Sequence, residues 1–206
     1  MSSEASTRHF AQRNGKAAHA GCVVWLTGLS AAGKSTIARL VAGRLEERGV
    51  LVDRLDGDIV REHLSRGLGF SKEDRDTNIE RIGWVASRLS RAGAVVVVSA
   101  ISPYEQARRK ARALTEQHAT FVEVYVATSL EECSRRDPKG LYAKAYAGEI
   151  AEFTGVSDPY EEPESPDLRL HTEGRTPEES ATVVLAKLEE LGLLDCGVTG
   201  DGGVTA

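Results

Sequence analysis

The chain has 206 residues, of which 41% are hydrophobic and 28% are charged, and its formal net charge is −5. These values are typical of one α/β domain with a full core, and they exclude the fibrous and membrane classes. The negative charge argues against binding to a nucleic-acid polymer, so a local cluster of basic groups must meet any anionic ligand.

The N-terminal residues and the cysteines indicate the compartment. Residues 1–20 are polar, lack an apolar core of the signal-peptide type and are predicted to be a disordered tail, and the apolar run over 92–98 is too short to span a bilayer. Cys22, Cys133 and Cys196 have no metal-ligand spacing, and the first two are expected in the core. We therefore expect a cytoplasmic protein with no membrane partner.

The first predicted strand, over 22–26, leads into a phosphate-binding loop. Residues 28–35 read Gly, four residues, then Gly-Lys-Ser, and apolar residues at helical spacing follow from Ile37. Backbone N–H groups and the helix N-terminus can then surround phosphates, with Lys34 on the β- and γ-phosphates and Ser35 on Mg²⁺. The residues predicted to bind ATP here are Gly28, Leu29, Ser30, Ala31, Ala32, Gly33, Lys34 and Ser35.

A second strand, over 50–55, runs into Asp56-Gly57-Asp58. Ligands of open α/β sheets gather at the carboxyl ends of the strands, so both aspartates should face the phosphate loop. The alternative is a plain turn with a helix N-cap at Asp58. The third strand ends without an acidic residue, so the metal and base roles fall to Asp56 and Asp58, and the absence of an Asn-Lys-x-Asp segment argues against a GTPase. These features favour a small-molecule kinase.

The remaining elements alternate between helices and strands. In chain order we predict a short helix over 59–65, a glycine-broken loop over 66–70, a helix to about 91, a strand over 94–100, a helix over 103–118, a strand over 121–127, a helix ending before 137, a strand over 168–171 and a helix over 177–191. Capping boxes are predicted for Ser71 with Asp74, Ser129 with Glu132 and Thr176 with Glu179. This order predicts a parallel sheet with helices on both faces, the P-loop NTPase-like α/β fold.

Residues 137–166 interrupt that alternation. Prolines and glycines break the periodicity, and basic and aromatic side chains are interleaved. Thirty weakly periodic residues inside a compact domain are typical of a functional element, here a mobile lid. The kinase domain is thus predicted over 21–194, and the glycine-rich residues 195–206 are predicted to be a disordered tail.

The acceptor is expected between the lid and three polar residues. Arg61 and Arg75, with Asn78, suit an anionic acceptor because a guanidinium meets phosphate or sulfate as a fork; the alternative for each arginine is a solvated helix charge. Phe70 and Phe153 lie beside glycines and could sandwich a base, although a core position is the more common role of such aromatics.

Several motifs in order identify a family resemblance. They are GLS and GKST over 28–36, LDGD over 55–58, LGFS over 68–71, DR at 74–75, ISPY over 101–104, RDPKGLY over 136–142, AGEI over 147–150 and FTGV over 153–156. Over about residues 21–192 the chain closely resembles the adenylylsulfate kinases. The resemblance implies transfer of the γ-phosphate of ATP to the 3′-hydroxyl of adenosine 5′-phosphosulfate (APS), giving 3′-phosphoadenosine 5′-phosphosulfate and ADP.

The resemblance also implies roles for individual residues. Arg61, Arg75 and Asn78 would hold the phosphosulfate, and Phe70 and Phe153 would sandwich its adenine. The lid residues Lys139, Gly140 and Leu141 would lie near the acceptor, as would Ile101 and Ser102, while Thr36 and Arg135 would contact ATP, Arg135 at the adenine. Ser102 matches a serine described in some members as a phosphorylated intermediate; direct in-line transfer does not need it, and it could instead hydrogen-bond the acceptor.

The mechanism expected from these roles uses both aspartates. Asp58 would orient the acceptor hydroxyl or accept its proton, and Asp56 would help to hold Mg²⁺ through water; the two roles could be exchanged. Lys34 and Ser35 would neutralise charge on the γ-phosphate.

The chain departs from the family pattern at Ile59, Thr77, Glu80, Trp84, Ala100, Glu105 and Tyr146. These departures leave two alternatives open: a paralogous 3′-hydroxyl kinase acting on another 5′-substituted nucleotide, and a catalytically silent nucleotide-binding module. Retention of Lys34, Ser35, Asp56 and Asp58 argues against the silent module. The expected partners are ATP and APS, and family members are often homodimers.

Overall fold

The computed structural model describes residues 21–194, and the tails predicted over 1–20 and 195–206 lie outside the described residues. The strands are β1 (Cys22–Thr27), β2 (Val52–Asp56), β3 (Val95–Ser99), β4 (Thr120–Val126) and β5 (Leu168–Leu170). The helices are α1 (Lys34–Glu47), α2 (Gly57–His63), α3 (Lys72–Arg91), α4 (Glu105–Thr115), α5 (Leu130–Arg136), α6 (Leu141–Tyr146) and α7 (Pro177–Glu190).

The five strands form one parallel sheet in the order β2-β3-β1-β4-β5. The central strand β1 pairs with β3 on one side and β4 on the other, so that Val24 lies opposite Val97 and Val122. All connections are crossovers through helices or the lid, as parallel pairing requires. The predicted P-loop NTPase-like α/β fold is confirmed.

Helices cover both faces of the sheet, which explains why β1 is apolar throughout. Val24 and Leu26 contribute to a core with residues of α1 and α7, whereas Val23 and Trp25 contribute to a second core with residues of α3 and α4. Cys22 and Cys133 are buried and unpaired in the first core, as expected from their apolar surroundings.

Helices α3 and α4 approach closely at a glycine. A Cβ atom built on Gly83 would lie 2.8 Å from the Cβ atom of Ala111, closer than real side chains pack. The absence of a side chain at Gly83 therefore sets the spacing of the two helices on that face of the sheet.

Tertiary contacts alter two of the predicted capping boxes. Thr176 and Glu179 form the full reciprocal pair. Ser71 caps the amide of Asp74, but the Asp74 carboxylate accepts from the Gly69 amide. Ser129 caps the amide of Glu132, but its own amide donates to Glu173 from beyond β5. The sequence correctly predicts the three N-termini but not the second half of two of the boxes.

The lid contains a helix that the sequence did not predict. Helix α6 has six residues, too few to give a recognisable hydrophobic period. Its first turn is held by the Asp137 carboxylate, which accepts from the amides of Leu141 (2.8 Å) and Ala143 (3.1 Å). No helix within residues 21–194 is both long and apolar enough to cross a membrane.

Candidate active site

The predicted phosphate loop joins β1 to α1 at the carboxyl edge of the sheet. Gly28 has a φ of 145°, and a Cβ atom there would lie 2.6 Å from the Val126 carbonyl oxygen. Ala31 and Gly33 also have positive φ, at 59° and 104°. This irregular backbone brings Lys34, Ser35 and Thr36 into the first turn of α1, where amide groups have no partner within the helix.

Lys34 is buried beneath the loop, and its Nζ donates to the Leu29 carbonyl at 2.6 Å. Burial disfavours the charged ammonium and lowers the pKa of Lys34 to about 8, although Asp56 and Asp58 oppose this effect. A buried cation of this kind gains strongly from an anionic ligand, because phosphate oxygens would replace the solvation that the folded protein removes.

Ser35 and Asp56 meet across the loop. The Ser35 hydroxyl donates to Asp56 Oδ2 at 2.7 Å, Ser99 donates to the same oxygen at 2.8 Å, and the Asp58 amide donates to Oδ1 at 3.1 Å. Partial burial acts to raise the pKa of Asp56, but these hydrogen bonds outweigh it and hold the pKa below its ordinary value.

This donor set suits Mg²⁺. A serine hydroxyl and an ionised carboxylate are the hard oxygen ligands that Mg²⁺ prefers, and phosphate oxygens and water normally complete its shell. Within residues 21–194 there is no cluster of three or more His, Cys, Asp or Glu side chains with metal-binding geometry. The described protein thus offers Mg²⁺ a site of the kind used with a nucleotide, not a closed protein cage.

Asp58 lies at the start of α2, exposed beside Asp56. Its Oδ2 pairs with Lys139 Nζ at 2.5 Å, and both side chains are mostly exposed. Donation to the Asp58 carboxylate raises the pKa of Lys139, and the negative charge of Asp56 acts in the same direction. Gly140 and Leu141 follow directly, at the turn that opens α6.

The predicted acceptor residues lie along α2, α3 and the loop between them. Arg61 donates to the Gly69 carbonyl at 2.9 Å and stacks on the exposed Phe70 ring, 4.6 Å from its centroid. Burial and the nearby charge of Arg75 lower the pKa of Arg61. Two guanidinium groups held this close attract an anion more strongly than either would alone.

Arg75 joins the two sides of this region. It is buried and donates to the Phe70 carbonyl at 2.6 Å, and it also bonds the Glu152 carbonyl and the Thr154 hydroxyl of the lid. One guanidinium therefore connects the backbone at Phe70 with the lid residues on either side of Phe153 in the sequence. An anion can reach Arg75 only by sharing or displacing these contacts.

Asn78 lies one turn beyond Arg75 on the same face of α3. The side chain is 5% exposed, and its Oδ1 has no hydrogen-bond partner within the described protein. A buried, unpartnered amide oxygen is costly unless a ligand supplies a donor.

Ile101 and Ser102 occupy the loop after β3, but Ser102 faces the core. The side chain is 1% exposed, accepts from Trp25 Nε1 at 3.1 Å and donates to Thr27 Oγ1 at 2.9 Å. Its φ is 42°, and Arg108 holds its carbonyl at 2.8 Å. These contacts hold the Ser102 hydroxyl inside the core and give Ser102 the character of a structural residue.

The two neighbouring arginines of α5 have different surroundings. Arg135 is exposed and forms a fork with Glu132. Arg136 approaches the Ala32 carbonyl of the phosphate loop at 3.4 Å and lines a cavity of about 320 Å³. Thr172, Arg175 and Pro177 line it from the other side. Sequence reasoning missed these four residues, because their proximity to the loop depends on how α5 and the β5–α7 connection pack in the fold.

A larger cleft, of about 870 Å³, lies between β4, β5 and the lid segment 155–162. Of the residues predicted to bind ATP or the acceptor, it contains only Leu29. The predicted site thus does not coincide with this larger cleft, and it is marked instead by the cluster of Lys34, Ser35, Asp56 and Asp58.

The departures from the family pattern lie mostly at the surface. Ile59, Trp84 and Tyr146 are exposed. Glu80 pairs with Lys110 and Glu105 with Arg109, each at 2.5 Å. Ala100 is buried next to Gly57, which directly follows β2. The two acidic departures thus have basic partners of their own.

Known proteins are similar to this chain in sequence and in fold. The family model described as Adenylylsulphate kinase matches residues 20–171. An adenylyl-sulfate kinase of Halothermothrix orenii is 55% identical over 85% of this chain and 93% of its own length. The structure of a Mycobacterium tuberculosis APS kinase in complex with AMPPNP and APS is 48% identical, with a TM-score of 0.80 over 82% of this chain and 98% of its own.

A hexameric APS kinase from Thiobacillus denitrificans is 40% identical, with a TM-score of 0.67 over 86% of this chain and 30% of its own. The phosphate loop, the paired aspartates and the residues predicted to bind the acceptor all fall within residues 20–171, which the family model matches. The chain is an enzyme, a kinase, and it belongs to the adenylylsulfate kinase family.

Proposed function

We propose that this kinase transfers the γ-phosphate of ATP to the 3′-hydroxyl of APS. The observation that carries the proposal is that the buried Asn78 oxygen has no partner within the described protein and lies one helical turn from Arg75, which is itself close to Arg61. The arginines suit an anionic phosphosulfate, and an adenosine moiety offers ribose hydroxyl or amino donors for the amide oxygen. The structural relative from Mycobacterium tuberculosis binds APS and an ATP analogue, which supports the same pair of ligands here.

For the nucleotide, we propose that its phosphates occupy the loop 28–36. Lys34 and the amides at the start of α1 would hold the β- and γ-phosphates. The cavity beside Arg136 and Arg175 adjoins the loop, so we propose that it holds the adenine, with a larger role for Arg136 and a smaller one for the exposed Arg135.

We propose that Ser35 and Asp56 hold Mg²⁺ in the loaded enzyme, Asp56 through water. The ion would supply charge neutralisation at the phosphate oxygens. The low pKa of Asp56 keeps its carboxylate ionised, which suits a metal ligand and makes it a poor proton acceptor.

This contrast separates the two aspartates, whose roles the sequence leaves open. Asp58 has an exposed carboxylate whose partner is the exposed Lys139, so an acceptor hydroxyl can reach it. We therefore assign to Asp58 the orientation of the 3′-hydroxyl and the acceptance of its proton. Lys34 and Lys139 would then flank the transferred group with positive charge, and Ser102 would support the loop at Ile101 without carrying phosphate.

The test is ADP release with Mg-ATP, offering APS, AMP and other 5′-substituted nucleotides, with phosphorus NMR of the product. A new 3′-phosphate formed preferentially on APS is the expected result. Turnover only with another nucleotide would reassign the acceptor to that nucleotide, and Ala100, which is buried beside Gly57, would be the first position to examine. Binding of ATP without acceptor-dependent turnover would indicate a nucleotide-binding module.

Two further properties are proposals of the same kind. A homodimer is supported by Trp84, an indole 60% exposed on the outer side of α3, and sedimentation analysis would test it. A cytoplasmic location is supported by the use of ATP and by the two free, buried cysteines of the described residues.

A further inference from the structure

Tyr142, in the first turn of α6, contacts both halves of the active site. The side chain is 1% exposed. Its hydroxyl donates to the Ser30 carbonyl of the phosphate loop at 3.1 Å, and its ring meets Phe153 edge-on, with centroids 5.0 Å apart and planes at 78°. A single side chain thus connects the ATP loop with the aromatic residue assigned to the acceptor.

The contact with Ser30 restrains the next amide of the phosphate loop. In a trans peptide the carbonyl and the following N–H point in opposite directions, so a Ser30 carbonyl held by Tyr142 turns the Ala31 N–H away from Tyr142. Ala31 has a φ of 59°, a conformation that a residue with a side chain adopts only when its surroundings impose it. The Tyr142 hydroxyl is one such restraint, and burial raises its pKa so that it remains a donor at neutral pH.

The contact between Tyr142 and Phe153 restrains the acceptor side of the site. The Phe153 carbonyl accepts from the amides of Val156, Ser157 and Asp158, so the backbone of this turn is already closed on itself. The side chain retains freedom that the edge-on contact with the Tyr142 ring restricts. Aromatic pairs in this geometry contribute about 0.5–1.5 kcal/mol beyond their buried area.

We propose that Tyr142 is a positioning residue that couples nucleotide binding to acceptor binding, an inference that rests on the proposed function. Phosphates in the loop fix the Ala31 amide, and with it the Ser30 carbonyl, the Tyr142 hydroxyl and the Phe153 ring. By linkage, an acceptor that fixes Phe153 tightens nucleotide binding by the same factor.

The experiment measures binding by calorimetry with Mg-ADP and APS, two ligands that cannot complete the transfer together. Each is titrated alone and in the presence of the other, for the unsubstituted protein, Tyr142→Phe and Tyr146→Phe. Tyr146 is on the same helix, is 60% exposed, and its hydroxyl forms no hydrogen bond within the described residues, so Tyr146→Phe is a matched control for the loss of a hydroxyl.

In the unsubstituted protein and Tyr146→Phe, each ligand is expected to tighten the other by about fivefold or more. Tyr142→Phe is expected to bind Mg-ADP about 2- to 10-fold more weakly, because one hydrogen bond is lost. Its coupling factor should fall to within about twofold of unity. A purely structural role would lower the melting temperature and leave the coupling factor unchanged, and that result would overturn the inference.

A second variant tests the link from the acceptor side. Phe153→Leu removes the aromatic contact but leaves the Ser30 contact, so Mg-ADP alone should bind normally while the coupling is lost; retained coupling would overturn the inference. Failure of the proposed function gives a different result, since APS would then not bind to the unsubstituted protein at all. The affinity of Mg-ADP alone for Tyr142→Phe would still report on the Tyr142–Ser30 contact.

Discussion

Replacement of Lys34 by Met is expected to make the protein more stable and catalytically inactive. Lys34 is buried with its charge unmatched by any ion pair within the described residues, and its only hydrogen bond there is to the Leu29 carbonyl. Met has a similar length, fills the same space and carries no charge to desolvate.

The magnitude follows from the pKa of Lys34, which falls from 10.5 to about 8 on folding. A shift of that size corresponds to about 3 kcal/mol of free energy by which folding disfavours the charged form. The lost hydrogen bond offsets about 1 kcal/mol, and the Leu29 carbonyl keeps the Ala32 amide as a donor. We therefore expect Lys34→Met to raise the free energy of unfolding by about 2 kcal/mol at neutral pH.

The stability difference between Lys34→Met and the unsubstituted protein should depend on pH. Because the pKa of Lys34 is depressed in the folded state, the unfolded chain binds more protons between pH 8 and pH 10.5, and the stability of the unsubstituted protein rises with pH in that window. The advantage of Lys34→Met should thus be full below pH 8 and mostly absent by about pH 10. The assay is urea denaturation at several pH values, without nucleotide.

Lys139→Met provides the matched control. Lys139 is exposed and its hydrogen bond with Asp58 raises its pKa, so its removal should bring no gain in stability. An equal or lower stability for Lys34→Met at neutral pH, or an advantage that persists unchanged at high pH, would refute the reasoning from burial of the charge.

Three other changes test separate parts of the site. Asp58→Asn should slow phosphoryl transfer by about 10²–10⁴-fold and leave ATP binding nearly intact, which rapid-quench kinetics and calorimetry would measure; near-normal turnover would defeat the assignment of the base. Arg108 is the buried partner of Glu123, with 2.9 Å between Arg108 Nε and Glu123 Oε1. Arg108→Leu should therefore lower the free energy of unfolding by about 3–5 kcal/mol, as measured by denaturation. Part of that loss should return when Glu123 is also replaced by Leu, and a single variant of normal stability would contradict the prediction. Ser102→Ala should lower the free energy of unfolding by about 1–2 kcal/mol, and the variant should still form product. Intact-mass measurement of the unsubstituted protein after incubation with ATP should reveal no added phosphate, and a phosphorylated Ser102 would contradict the structural role.

Much of the fold is predictable because its signals are local. Strands β1 to β4 are 5–7 residues long, β1 and β3 are buried throughout, and each strand is followed by a helix. The helices after β2 and β4 begin at side-chain caps, Asp56 and Ser129. Helix α6 lacks such a signal, since its first turn is held by Asp137 and its packing by a tyrosine that contacts distant residues. Boundaries shifted by one to three residues for the same reason. Val50, placed in β2 by its apolar character, instead closes the end of α1 because its amide donates to the Leu45 carbonyl.

In the acceptor region, the sequence identifies the residues expected to bind the acceptor but does not reveal their hydrogen-bond partners. The sequence singles out Arg75 and Asn78, but only the fold shows that the guanidinium of Arg75 is shared with the lid and that the amide oxygen of Asn78 is without a partner in the described protein. Ser102 is at a position that suggests contact with substrate, yet the indole of Trp25 and the hydroxyl of Thr27 engage it in the core.

The sequence by itself determined the phosphate loop, the two aspartates and the family, because that chemistry is written in short runs of neighbouring residues. Only the tertiary structure decided which aspartate is hydrogen-bonded to Ser35 and which is exposed, which arginine approaches the phosphate loop, and that Tyr142 contacts both the loop and Phe153. Those properties depend on hydrogen bonds and burial between residues that are far apart in the chain, and no local pattern encodes them.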